Sequence, residues 1–183
     1  VTEGKTEKQY FDHFRSTTGP RILSVDEGDS KIRLVEKAVV LRDTYIKDRS
    51  YNPDTDTTWA VFDRDIDIKK PNDKETFNEA LALAARNGIN VAYSNDSFEL
   101  WFLLHFQAVS TEMHRDVICE KLKIHLGHYE HGDDIFELIS DKHPEAVKRA
   151  AQMLRVSDNL SPVEANPSTT VHLLTEELRR NMC

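Results

Sequence analysis

The chain has 183 residues, 39% apolar and 31% charged, with a formal net charge of −8. That length can bury a core within one globular unit, and no run approaches the roughly 18 apolar residues that a membrane span needs. The acidic excess is the wrong sign for gripping nucleic acid by bulk electrostatics, so a phosphate ligand would need divalent cations to reverse the local potential.

Val1-Thr2-Glu3-Gly4 reads as the end of a strand that enters mid-element, without an initiator Met, so its first residues are expected upstream of Val1. Thr6 is expected to cap a helix carrying Tyr10, Phe11 and Phe14 at helical spacing, and Gly19-Pro20 to stop it. Residues 21–25 (RILSV) read as a second strand. Residues 29–48 read as a long helix with Ile32, Val35, Ala38, Val39 and Leu41 on one side, capped by Asp29 or Ser30.

After the polar loop 51–58, Trp59, Ala60, Val61 and Phe62 form a nearly continuous apolar run, the pattern of a strand buried on both faces. A helix over 73–88 ending at Gly88, a fourth strand over 89–95 and a short apolar helix over 96–106, capped by Asp96 or Ser97, complete four β-α units. Right-handed crossovers then predict an α/β fold, a four-stranded parallel sheet flanked by helices. Residues 1–106 form that core. Residues 107–183 read as a helical extension packed on it, with no further strand, and 125–134 as the least ordered stretch.

Ligands of open parallel sheets bind beyond the carboxyl ends of the strands. There the sequence sets Glu3 after the first strand, Asp63, Asp65 and Asp67 after the third, and Asn95 with Glu99 after the fourth. Alternation along an extended segment would project Asp63 and Asp65 together. Several carboxylates at one edge repel one another unless some are protonated or a hard cation binds them, and oxygen-only ligands suit Mg2+ or Mn2+. An isolated Asp-x-Asp is more often a solvated loop; its meeting with Glu3 across the sheet carries the metal reading.

The segments VTEGKTEKQYF, WAVFDRDID, SNDSFELWFLLHF and NPSTTVHLLTEEL resemble the RloB-like family, Toprim-like proteins of bacterial anti-phage and abortive-infection loci. The resemblance implies a Toprim-like fold and a nuclease that hydrolyses phosphodiesters of DNA or RNA, transfer RNA included, alongside an ATPase partner. It implies Glu3, Asp63 and Asp65 as catalytic residues, with Glu7 and Glu99 joining them as metal ligands; Asp67 is a metal candidate by the spacing of the aspartates alone. Lys5 and Arg64 would hold phosphate, and Asn95 and His105 would support the site from behind. Where the family pattern has proline after the asparagine, this chain has Asp96.

His125, His128 and His131 repeat every third residue, but Cys119 is the only thiol nearby, and structural zinc sites usually add cysteines. Pro167 reads as the first turn of a final helix capped by Asn166 or Ser168. The two cysteines, Cys119 and Cys183, sit in no metal or redox spacing. With no signal-peptide pattern either, a cytoplasmic protein without membrane partners is expected. A non-catalytic module binding a nucleotide or a partner is the competing reading, with small-molecule phosphohydrolysis a third.

Overall fold

The computed structural model describes residues 1–15, 21–22, 30–65 and 73–181. Asp67, the Gly19-Pro20 stop, Asp29 and residues 23–25 of the expected second strand lie outside the described residues. Helix α1 (Lys5–Asp12) leads to α2 (Lys31–Lys47), β1 (Trp59–Asp63), α3 (Asp73–Arg86) and β2 (Asn90–Asn95). Helices α4 (Glu99–Leu104), α5 (Arg115–Leu126), α6 (Phe136–Ile139) and α7 (His143–Val156) follow, then β3 (Ser168–Thr169) and α8 (Val171–Arg180).

The sheet corrects the expected topology. Among the described residues it has three strands in the order β1-β2-β3, and its directions are mixed. β1 and β2 run parallel, in register from Trp59 opposite Asn90 to Asp63 opposite Ser94. β3 is antiparallel to β2, pairing Thr169 with Ser94 and Ser168 with Asn95. It comes from the stretch expected to be wholly helical. Val1–Glu3 contributes only one parallel bridge, Thr2 to Val61, closed by Val61 N–H to Val1 O at 2.8 Å and Glu3 N–H to Val61 O at 3.0 Å. Among the described residues the sheet is therefore a three-stranded mixed one, not the expected four-stranded parallel Toprim-like sheet. The physical reason lies in 166–170, where hydroxyls supply much of the pairing: Thr170 Oγ1 accepts from Tyr93 N–H at 2.9 Å, and Thr169 Oγ1 donates to Tyr93 O at 3.0 Å.

Alternate residues of β1 and β2 face two apolar layers, as the continuous apolar run requires. Ala60, Phe62 and Tyr93 pack with Leu34, Val35 and Ala38 of α2 and Phe77, Ala80 and Ala84 of α3. Val61 and Ala92 face the larger layer, built from Tyr10, Phe11, Trp101, Leu104, Ala146, Ala150 and Leu174. Each large apolar side chain sealed there contributes about 1.5–3 kcal/mol relative to exposure. No helix among the described residues is long and apolar enough to cross a membrane.

Helix starts differ from expectation in an informative way. Ser30 does cap α2, accepting from Arg33 N–H at 3.3 Å, and Gly88 (φ +65°) follows α3. Thr6 lies inside α1, behind Gly4 as N-cap. α4 begins after Phe98, without a cap from Asp96 or Ser97; Asp63 of β1 instead accepts from Phe98 N–H at 2.8 Å. Before α8 the chain forms β3 and Thr170 precedes the helix, so neither Asn166 nor Ser168 is its cap and Pro167 lies outside its first turn.

Candidate metal and phosphate site

The ends of β1 and β2, the Val1–Glu3 segment and the start of α4 converge, and five carboxylates arrive with them. Glu3 accepts from Asp63 N–H through Oε2 at 3.2 Å, and its Oε1 lies 3.8 Å from Lys31 Nζ. Burial pushes the Glu3 carboxyl up, and Asp65 adds to this, against the opposing pull of Lys31. Asp63 is 8% exposed; one oxygen takes the Phe98 N–H, and the other, Oδ1, is buried without a partner. Its carboxyl is raised well above the usual range, first by burial and then by Glu7, Asp65, Glu99 and Glu3.

Glu7 enters from the first turns of α1 and is 5% exposed. A Cβ on Gly4 would stand 2.5 Å from Glu7 Oε2, so the missing side chain leaves the carboxylate its place. The backbone there (φ −124°, ψ 174°) is extended and open to any residue. The glycine of the Glu-Gly pair therefore serves space rather than torsion. Burial, with Glu3 and Glu99 behind it, pushes the Glu7 carboxyl up to about 7.

Asp65 departs from the expected alternation. The strand ends at Asp63, and Asp65 takes a left-handed backbone (φ 49°), its N–H donating to Asp96 O at 3.1 Å. Such a residue no longer follows the two-residue period of a strand. Its carboxylate turns to two cations, Lys31 Nζ at 3.4 Å and the Arg115 guanidinium. Burial opposes the charge on Arg115, yet Asp65, Asp63, Asp96 and Glu99 together hold its pKa above the ordinary value.

Glu99, 2% exposed, closes the far side. Its Oε1 accepts from Tyr129 Oη at 3.2 Å and from His131 Nδ1 at 2.7 Å. Burial works against its ionisation, but the hydrogen bonds from His131 and Ser97 outweigh that and hold the carboxyl below its usual value.

The remaining expected residues are dispersed. Lys5 is exposed on α1. Arg64 is 3% exposed, its guanidinium 6.0 Å from the Phe77 ring centre. Asn95 donates to Ala165 O at 2.8 Å and so holds the approach to β3. Asp96, 1% exposed, accepts from the Arg115 N–H at 3.1 Å. His105 lies along α4, its Nδ1 2.9 Å from Trp101 O and its ring beside Trp101 and His143.

Lys31, Arg115 and Tyr129 belong to the site and were not anticipated, and His131, set aside above with the other spaced histidines, joins them. Lys31 and Arg115 each occupy the first position of a helix, where the macrodipole disfavours a cation. That misfit is a signal legible in sequence. Tyr129 is the sole aromatic in the polar stretch 125–134 and is fully buried, which anchors that loop.

The donor chemistry fits a hard divalent cation: oxygens of Glu3, Glu7, Asp63 and Glu99, with one Asp63 oxygen buried and unpartnered. Among the described residues, no three groups converge closely enough to enclose an ion as they stand. Lys31 and Arg115 currently balance part of the charge. A cavity of about 700 Å3 lies at the opposite end of β1, lined by residues that include Tyr45, Tyr51, Trp59 and Glu177; none of these carboxylates opens into it.

Compared with known proteins, residues 1–178 match the model of a family described as RloB-like protein. No curated protein and no solved structure matches the chain.

Proposed function

The chain belongs to the RloB-like family, and from that premise and the carboxylate cluster we propose that it is a metal-dependent nuclease, the effector of a bacterial phage-defence system. It would act in the cytoplasm with an ATPase partner on DNA or RNA, transfer RNA included. The observation that carries the reading is the unpartnered Asp63 Oδ1, buried among carboxylates. Such a group is costly to hold ionised unless a cation completes it.

Glu3, Asp63 and Asp65 would hold Mg2+ or Mn2+, with Glu7 and Glu99 on the α1 and α4 side. A cation bound there supplies the positive charge that stabilises the attacking and departing oxygens of a phosphodiester. Lys31 and Arg115, now paired with Asp65, are placed to receive the non-bridging phosphate oxygens, Arg115 as a planar fork and Lys31 as a point charge. Asp63 also fixes the start of α4 through Phe98 N–H, which keeps Glu99 in register with the β1 end. With a net charge of −8, the chain would need this local reversal of potential to approach a polyanion.

The test is cleavage of DNA, messenger RNA and transfer RNA with Mg2+ or Mn2+, in the presence of the triggered ATPase partner. Glu3→Gln and Asp63→Asn, folded like wild type, should each lower cleavage by about a thousandfold or more. Absence of cleavage in every such combination would overturn the nuclease reading. A non-catalytic module is favoured by one observation, that Lys31 and Arg115 are already engaged by Asp65. On that reading a nucleotide or protein partner binds, carboxylate substitutions change its affinity, and nothing turns over.

A further inference from the structure

Two cations from separate helices close on one carboxylate at the end of β1. Arg115 Nη2 donates to Asp65 Oδ1, and Lys31 Nζ lies 3.4 Å from Oδ2, so each oxygen of the carboxylate has its own cation. Lys31 opens α2 and Arg115 opens α5, first positions where a helix disfavours positive charge unless an anion stands in front of it. The carboxylate meets that need with the two-oxygen pattern by which a phosphate group would meet a guanidinium and an ammonium.

The surrounding backbone holds Asp65 there. Asp96, 1% exposed, receives the Arg115 N–H on Oδ2 at 3.1 Å, and its backbone oxygen receives the Asp65 N–H at 3.1 Å. One residue thus ties the start of α5 to the main chain of Asp65. The left-handed backbone of Asp65 (φ 49°) is one that most side chains disfavour and that aspartate tolerates better than most. Exposure is graded across the three groups: the side chain of Lys31 is 8% exposed, that of Asp65 34% and that of Arg115 41%. Lys31 is therefore the floor of a seat, and the carboxylate stands at its mouth, where an anion from solvent can compete with it.

We propose that Asp65 is an internal occupant of an oxyanion seat formed by Lys31 and Arg115, an autoinhibitory contact that a phosphate group must displace in order to bind. The inference rests on the reading above for the phosphate's part in the reaction, and it adds that the chain itself holds the seat closed. Carboxylate and phosphate are alternatives at one place, so the pairs with Asp65 mark the seat rather than exclude a ligand from it. An internal competitor lowers apparent affinity by the fraction of time that the seat is open. A seat open about one-tenth of the time binds phosphate about tenfold more weakly than one without the carboxylate.

The experiment is titration of the whole chain with inorganic phosphate, without added divalent cation, followed by phosphorus NMR and by calorimetry. Asp65→Asn keeps the side-chain shape and tolerates the left-handed backbone, and Asp65→Gly fits that backbone should the first variant fold poorly. Either should bind phosphate about tenfold more tightly than wild type. Adding Arg115→Ala to Asp65→Asn should abolish the gain. Asp116→Asn, the same charge change beside Arg115 at a side chain 85% exposed, should alter affinity by less than about twofold. Affinity unchanged or lowered by both Asp65 substitutions, a gain that survives loss of Arg115, or an equal gain in Asp116→Asn overturns the inference and leaves the nuclease reading to its own cleavage test. Tighter phosphate binding in Asp65→Asn together with no cleavage upholds the seat and overturns the nuclease.

Discussion

Two regions of this molecule bury titratable side chains, and they handle the charge in opposite ways. At one, Trp101 lies beside His105 and His143, with His172 electrostatically coupled to His143; the three histidines are 2%, 5% and 3% exposed. Burial pushes His105 down to about 3 and His143 to about 4, so this cluster is neutral at physiological pH. At the other, burial and mutual repulsion resist the ionisation of Glu3, Glu7 and Asp63, while burial of Glu99 is outweighed by its hydrogen bonds from His131 and Ser97, and two cations are drawn in beside the group. A buried base can shed its proton and join a core. A group of buried acids near neutrality stays poised between protonation and a cation, which is why it reads as a site and the histidines read as packing.

Three measurements would break or sharpen that contrast. The largest effect is expected from Tyr129→Ala, which opens a cavity and removes the donor to Glu99. Unfolding in denaturant should show a loss of about 3–5 kcal/mol, and a loss below 1 kcal/mol would mean the 125–134 loop is not anchored as described.

Next is acid sensitivity. An unfolded chain protonates histidine near its ordinary value of 6.5, while folded His105 resists until about 3. Stability is therefore full above pH 6.5 and is lost as pH falls through that window. The expected loss is about 2 kcal/mol by pH 5 from His105, with His143 and His172 adding to it. His105→Gln should flatten the pH profile of denaturant unfolding; an unchanged profile would place the acid sensitivity elsewhere.

The smallest effect carries the opposite sign. Folded Glu7 titrates at about 7, above its ordinary value of 4.5, so its contribution is present below pH 4.5 and disappears as pH rises through 7. Glu7→Gln should stabilise the metal-free protein at pH 8 by roughly 1–2 kcal/mol and leave it nearly unchanged at pH 4.5. Thermal melts at the two pH values check this. Destabilisation at pH 8 would mean the charged carboxylate is already well compensated.

Much of the architecture was legible because it rests on local periodicity. The apolar run Trp59–Phe62 marked a strand buried on both faces, and Ser30 and Gly88 marked the start of α2 and the end of α3. What escaped has no periodic signature. β3 is two residues long, too short to show alternation, and its pairing uses threonine hydroxyls that read as helix caps. Asp65 leaves the strand through a left-handed turn, which alternation cannot foresee. In the site, Glu3, Asp63 and Glu99 stand at the strand ends and helix start where the sequence set them, and Glu7 was named through the family resemblance alone. Lys31 and Arg115 show in the sequence only as cations at a helix start, and His131 only as one of three spaced histidines; their meeting with Glu3, Asp65 and Glu99, between 28 and 50 positions away, comes from the tertiary fold alone.

Gly4 gives the Glu-Gly pair a meaning that conformational arguments miss. Its backbone angles are ordinary, and its nearest obstacle is a carboxylate oxygen rather than main chain. What a single carbon at position 4 would displace is that carboxylate, the far end of a flexible side chain. A chain carrying alanine there would keep every acid, every charge and its backbone path, yet its Glu7 would have to swing away. One methyl group thus separates where the negative charges stand from how many there are.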